Sequence, residues 1–304
     1  MKVLVTGGAG FIGSHIVEKL IAEKWEVVVL DNLSTGRREN VPSTAKLVVM
    51  DIARDNILPL FEKELFDYVI HLAAQTSVPA SLENPELDCQ VNIMGMIKVL
   101  EAARTFAVKR VIFPSSAAVY GSEVEPPITE NAELKPSSFY GLSKLTAERY
   151  LQLYKELYGL DYVILRFANV YGERQGDGGE GGVISIFARK ILSGQPLTIF
   201  GDGNQTRDFI YVKDVAAVNI LALTSLAGGI TANISTNTEI SVNLLTEIMG
   251  KVSGKVVERV YLPAREGDIY RSCLNNSNAI NTFGWNPATK LEEGLINTLK
   301  TVSE

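Results

Sequence analysis

The stretch LVTGGAGFIGSH, Leu4–His15, decides how the rest of the chain is read. It follows a short apolar run and places Gly7, Gly10 and Gly13 in the spacing G-x-x-G-x-x-G. Lys2–Thr6 reads as a strand and Phe11–Ala22 as a helix, so Gly7 and Gly10 lie in the turn between them and Gly13 in the first turn of the helix. That context gives the pattern its meaning. The first glycine permits a tight turn, the second lets the backbone approach a pyrophosphate, and the third lets helix and strand pack closely. Backbone amides at the helix start, around Phe11, Ile12 and Gly13, then face the phosphates. The expected ligand is a dinucleotide.

Asp31 ends the next apolar run, Glu26–Leu30, 18 residues beyond Gly13. A carboxylate there accepts hydrogen bonds from both ribose hydroxyls and repels a 2′-phosphate, which favours NAD over NADP. The competing reading of Asp31 is an ordinary turn residue. Asp51 and Ile52, after the run Lys46–Met50, are placed to frame the adenine. Leu72 ends the run Tyr68–Leu72 and Ala73 and Ala74 follow it, where small residues let a cofactor lie across the strand ends. His71 reads as a structural histidine rather than a catalyst.

Two further runs, Arg110–Pro114 and Tyr162–Arg166, complete six candidate strands. They are continuous Val/Ile/Leu segments, as expected of strands covered on both faces. Helical stretches Pro85–Phe106 and Ser138–Leu157 fall between them. This repetition predicts an α/β fold, a Rossmann-type doubly wound parallel sheet, with a smaller C-terminal substrate-binding lobe. Residues 1–168 are expected to form the NAD-binding domain and 169–304 mainly the lobe, with about 205–237 packing back onto the first. Helices are expected at Val183–Ser193, Val212–Leu223 and Val242–Val252. The segment QGDGGEGG, Gln175–Gly182, is either a plain surface loop or a flap over a substrate.

Composition removes other classes. Among 304 residues the formal net charge is −6, which leaves no basic excess for nucleic acid. No apolar run reaches membrane-spanning length, and a strand starting at Lys2 leaves no room for a signal peptide. Two cysteines and two histidines make a disulfide framework, a metal site or a histidine-led triad hard to build. A cytoplasmic, metal-free enzyme is expected.

FYGLSKLTAERYL, Phe139–Leu151, supplies the chemistry. Tyr140 and Lys144 stand four residues apart and share one helix face. A cation beside a phenol stabilises the phenolate, so Tyr140 is a candidate general base for a sugar or alcohol hydroxyl. Lys144 can also bond the nicotinamide ribose. FPSSAAVYG, Phe113–Gly121, places Ser116 at a strand end 24 residues before Tyr140, where it would orient the same hydroxyl.

With these residues in view, the chain resembles the extended short-chain dehydrogenase/reductases, and within them the UDP-glucose 4-epimerase-like nucleotide-sugar epimerases. The motifs that carry the resemblance are TGGAGFIGSH, DNLSTG, HLAAQTSV, SSAAVYG, YGLSK, LRFANVYG, FGDGNQTRDFIYVKD and REGD, over nearly the whole chain. The resemblance implies that Tyr140 takes the proton from the hydroxyl on sugar carbon 4. Hydride passes to bound NAD, the 4-keto sugar turns over, and the hydride returns to its other face. It adds Asn32, Ser34, Gly36, Asn92, Ser115 and Phe167 to the cofactor side. On the substrate side it implies Val183, with Thr198, Ile199 and Phe200 beside uracil, Asn169, Arg207 and Arg265 on the diphosphate, and Asp268 on the uridine ribose. Helix packing remains the other reading of Asn92, and surface charge that of either arginine. Asp214 is expected to cap a helix.

Two departures refine the activity. Dehydratase relatives carry Asp-Glu where this chain has Ala117-Ala118, and alanine transfers no proton. This disfavours a dehydratase, and Asp31 disfavours an NADPH-using reductase. Retention of Ser116, Tyr140 and Lys144 disfavours a non-catalytic NAD-binding regulator. Ser272 stands where family members carry a gate beside the carbon-2 substituent. A serine leaves space there, so the N-acetylhexosamine pair is expected to be tolerated beside UDP-glucose and UDP-galactose. The resemblance also implies a homodimer through the helices of Asn92 and Tyr140. Ile93, Ile97, Leu100, Leu145, Leu151 and Leu153 on these helices read most simply as core.

Overall fold

The computed structural model describes residues 1–176, 182–265 and 269–303. Seven parallel strands form the main sheet. In chain order they are β1 (Lys2–Thr6), β2 (Glu26–Asp31), β3 (Lys46–Val49), β4 (Tyr68–His71), β5 (Arg110–Ser116), β6 (Asp161–Phe167) and the strand Ile230–Ile234. Across the sheet the order is Ile230–Ile234, β6, β5, β4, β1, β2, β3. The order reverses between β1 and β4, the point where open α/β sheets bind ligands.

The apolar runs divide between two cores because alternate side chains of a strand face opposite ways. In β2, Val27 and Val29 join a cluster with Ile16, Val17, Val215 and Trp285, while Val28 and Leu30 join one with Leu100, Val99 and Leu151. Continuous hydrophobicity is thus the mark of burial on both faces. The helix Phe11–Ala22 and the helix Val212–Thr224 cover one face; Leu58–Glu64, Gly95–Thr105 and Phe139–Tyr158 cover the other.

A third core gathers Phe187, Leu197, Ile199, Tyr211, Leu245, Met249 and Leu299 from the C-terminal segments. Residues Phe11 and Ile12 of the glycine motif pack against this third core. The nucleotide turn and the C-terminal lobe therefore share one apolar contact.

The structure departs from the sequence expectations in three places. β5 continues past Pro114 through Ser116. Its pairing with β4 ends at Ile112, so the proline falls where β5 has a partner on one side only, a place that tolerates a missing N–H. The expected helix Pro85–Phe106 contains a π-helical turn, Gln90–Met94, between α-helical ends Pro85–Cys89 and Gly95–Thr105. Four helices were not expected: Leu58–Glu64, Val78–Glu83, Ser277–Phe283 and Leu291–Ser303. The first two start with proline in their opening turn, a residue that reads as a breaker yet suits a helix start.

Candidate active site

The glycine turn lies against the residues that follow β4. Gly7 has φ +70°, and a Cβ there would stand 2.7 Å from the Ala73 nitrogen. A Cβ on Gly13 would stand 2.2 Å from the Gly7 carbonyl oxygen. Gly10 occupies the helix N-cap with no side-chain cap, and the first turn carries no acidic residue. Backbone amides there suit an anion. This cradle fits the pyrophosphate of a dinucleotide.

Asp31 closes the cradle from β2. Its carboxylate accepts from Ala9 N at 3.0 Å and Leu33 N at 2.8 Å, and a Cβ on Gly36 would come within 2.8 Å of it. Asn32 donates to Asp51 at 3.1 Å and accepts from the Ser34 hydroxyl at 2.8 Å. A Cβ on Gly95 would meet the Ile52 side chain at 2.7 Å, so this glycine serves helix packing beside Ile52.

His71 is buried beside β1, bonded through Nδ1 to Thr6 Oγ1 at 2.7 Å. Burial first, then the Lys144 charge, pushes its pKa down to about 3, so the ring is neutral. Leu72, Ala73 and Ala74 are half-buried at the strand end. Asn92, in the π-turn, accepts from Gln75 N and donates to Gln75 O, Asp88 and the Ser143 hydroxyl. Its amide is spent on joining the β4 loop to the helix of Tyr140.

The helix Phe139–Tyr158 starts at Ser138, whose hydroxyl accepts from Gly141 N. Tyr140 is half-buried on its first turn. Lys144 is buried, with Nζ 5.9 Å from the Tyr140 ring centre and 4.8 Å from that of Phe113. It donates to Pro114 O at 3.0 Å. Burial pushes its pKa down to about 8, against the opposing pull of Asp88 and Glu148. Ser116, paired in register with Phe167, is half-buried, and its hydroxyl accepts from Ala118 N at 3.2 Å. The Ser115 hydroxyl instead donates to Glu148 at 2.5 Å. Phe167 is buried in the core on the Phe11–Ala22 side of the sheet.

On the other bank, Asp208 is the hub. Its carboxylate accepts from Thr236 N, the Thr236 hydroxyl and the Cys273 thiol, while its carbonyl accepts from Asn169 N. The segments that carry Asn169, Arg207 and Ser272 thereby meet at one buried residue. Thr206 N donates to Tyr270 O and Ile128 N to Cys273 O, so Ser272 lies on a segment strung between the Arg207 strand and the loop after Ser116. Asp208 stands inside the motif FGDGNQTRDFIYVKD, but nothing in its spacing marks it as a hub.

The strand Leu197–Phe200 alternates. Thr198 and Phe200 are half-buried, whereas Ile199 is sealed in the third core. Lys190 donates to the Thr198 hydroxyl at 2.8 Å, and the Arg265 guanidinium stacks 3.8 Å over the Phe200 ring. Val183 opens the helix Val183–Leu192. Asp268 and most of the glycine-rich segment, 177–181, lie outside the described residues. Asp214 accepts from Ala288 N and Thr289 N, fastening the C-terminal segment rather than its own helix start.

Comparisons with known proteins give the family. The NAD dependent epimerase/dehydratase family matches residues 3–235. A putative UDP-glucose 4-epimerase of Methanocaldococcus jannaschii is 47% identical over 294 residues, 96% of this chain and 95% of that one. Among solved structures, the UDP-glucose 4-epimerase from Thermotoga maritima with UDP-glucose superposes with a TM-score of 0.97 at 41% identity, covering 100% of this chain and 99% of that one. A UDP-N-acetylglucosamine 4-epimerase from Methanobrevibacter ruminantium, in complex with UDP-N-acetylmuramic acid, gives 0.94 at 39% identity, covering 99% and 97%. The chain belongs to the NAD dependent epimerase/dehydratase family. Within it, the chain is a UDP-glucose 4-epimerase-like, NAD-dependent isomerase acting on nucleotide sugars.

Proposed function

We propose that the protein interconverts UDP-glucose and UDP-galactose and also accepts the corresponding N-acetylhexosamines. The carrying observation is that Ser116, Tyr140 and Lys144 lie together at one end of β5. Tyr140 receives the proton from the sugar 4-hydroxyl and returns it to the same oxygen when the turned-over keto sugar is reduced on its other face. Lys144 supplies the cation that holds the phenolate, and Ser116 orients the hydroxyl. NAD, when bound, supplies the acceptor and later the donor of the hydride. Gly7, Gly10 and Gly13 hold its pyrophosphate, and Asp31 its ribose.

Arg207, Asn169 and Arg265 bind the diphosphate, where guanidinium groups suit a fixed array of anionic oxygens. Thr198 and Phe200 flank the base; the strand alternation leaves Ile199 a supporting role. Ser272 opens the carbon-2 side of the pocket. Sugar identity is the point on which the two solved relatives differ, one holding UDP-glucose and the other bearing the name of an N-acetylglucosamine enzyme.

The working form is a homodimer. Leu100 and Leu151 belong to the core, but Leu87, Met94, Leu142, Leu153 and Leu157 stand exposed on the two long helices. A second copy of this chain covers them, which sedimentation at micromolar concentration would show as a dimer. Among the described residues no helix is long and apolar enough to cross a membrane.

Purified protein incubated with UDP-galactose and, separately, UDP-N-acetylgalactosamine, with no added cofactor, tests the assignment. The expected products are the matching gluco sugars. No conversion after NAD is supplied would overturn it.

A further inference from the structure

Behind the catalytic face runs a buried chain of polar groups that the mechanism above does not use. Glu148 is 1% exposed, and both of its oxygens are engaged by Arg166, Nε to Oε1 at 3.0 Å and Nη2 to Oε2 at 2.6 Å. Arg166 passes a third bond to the Tyr120 hydroxyl at 2.9 Å, which donates to Asn233 at 2.7 Å. That pairing alone satisfies the arginine and the carboxylate. Yet Glu148 Oε1 takes one more bond, from the Ser115 hydroxyl at 2.5 Å.

Stability gives a weak reason for such a group. A buried ion pair gains little over well-packed apolar side chains of similar volume. Its position is more telling. Tyr140, Lys144 and Glu148 fall at steps of four on one helix, so they share a face. Lys144 holds the carbonyl of Pro114, and Glu148 holds the side chain of Ser115. Successive turns of the helix thus grip successive residues of β5, and the next residue is Ser116. Strand alternation turns the Ser116 side chain away from Glu148.

We infer that Glu148, clamped by Arg166 and bonded to Ser115, is a positioning residue that fixes the distance between Ser116 and Tyr140. The inference rests on the 4-epimerase reading of this site. Glu148 touches neither sugar nor cofactor; it acts by locking strand to helix. A small error in that spacing penalises the chemical step far more than binding, because proton transfer needs a near-attack arrangement.

Ser115→Ala tests this with the Glu148–Arg166 pair left intact. We expect kcat for UDP-galactose to fall about tenfold, with KM, NAD occupancy and the acid and alkaline limits of the pH profile unchanged. Ser115→Thr, which restores the hydroxyl, is expected to recover most of the loss. S115A with kcat within about twofold of wild type would overturn the inference alone. So would a kcat loss accompanied by released NAD or a proportionate rise in KM, because that is general loosening. A wild-type protein inactive on nucleotide sugars would overturn the functional reading, and this inference with it.

Discussion

Around Gly7 and Gly13 the proposed cleft wall is main chain; around Arg207 and Ser272 it is a two-residue strand and an irregular segment tied together by side-chain bonds. The first bank leaves no room for a Cβ, since Ala73 N and Gly7 O would lie 2.7 and 2.2 Å from one. The second is assembled by Asp208 from four segments: Asn169, the strand Thr206–Arg207, Thr236 and Cys273. A main-chain wall recognises what all of its ligands share, a pyrophosphate. A side-chain wall can be retuned one residue at a time without disturbing the sheet. On this reading pyrophosphate binding is the rigid property of the molecule, and the choices made by side chains, Asp31 for the cofactor and Ser272 for the sugar, are the adjustable ones.

The sharpest break falls between the banks. Tyr140→Phe removes the phenol oxygen and leaves both walls standing. We expect kcat to fall by about 10²–10⁴-fold, with bound NAD retained in the purified protein. Loss of NAD together with activity would show that the catalytic helix and the cofactor bank are not separable.

Gly13→Ala attacks the main-chain bank alone. Its methyl would be driven against the Gly7 carbonyl, forcing the turn apart at a cost of about 1–3 kcal/mol. The expected result is NAD-poor protein with a lowered unfolding temperature and unchanged affinity for UDP. Full NAD retention would mean that the turn yields, against the comparison.

The two banks also differ in how far the chain reveals them. The glycine turn is local: spacing, strand and helix are contiguous, and steric exclusion fixes what each glycine does. β1 to β6 were legible for the same reason, as unbroken apolar runs of strand length. Tyr140 and Lys144 were legible because four residues on a helix make a face. Glu148 lies a further four along that face and was equally readable by geometry, but its partners Ser115 and Arg166 come from two other strands. Asp208 was illegible in role, since its bonds span up to 65 residues of sequence, whereas packing was already one of the two readings of Asn92. The terminal helix Leu291–Ser303 was not expected, although Leu291, Leu295 and Leu299 recur at helical spacing along it.

Ser272→Tyr retunes the side-chain bank. A ring beside carbon 2 should lower kcat/KM for UDP-N-acetylgalactosamine by about tenfold while leaving UDP-galactose nearly untouched, in the range of steric discrimination by a pocket wall. Equal losses on both sugars would place the carbon-2 group elsewhere.

The smallest effect is a pH response at the junction of the two banks. The groups that bear on Lys144 are Tyr140, Asp88, Glu148 and the neutral His71. Burial carries its pKa down to about 8 from 10.5. The ammonium that holds the phenolate is lost as pH rises through that value, so kcat should decline severalfold between about pH 7.5 and 9. Stability should move the other way. Between about 8 and 10.5 the unfolded chain binds the proton and the folded chain does not, so this group's contribution to stability rises with pH across that window. Activity falling while the unfolding free energy holds or rises is the signature of a buried, charged lysine at work. Activity and stability falling together from pH 8 would assign the decline to unfolding instead, and would remove Lys144 from the chemistry.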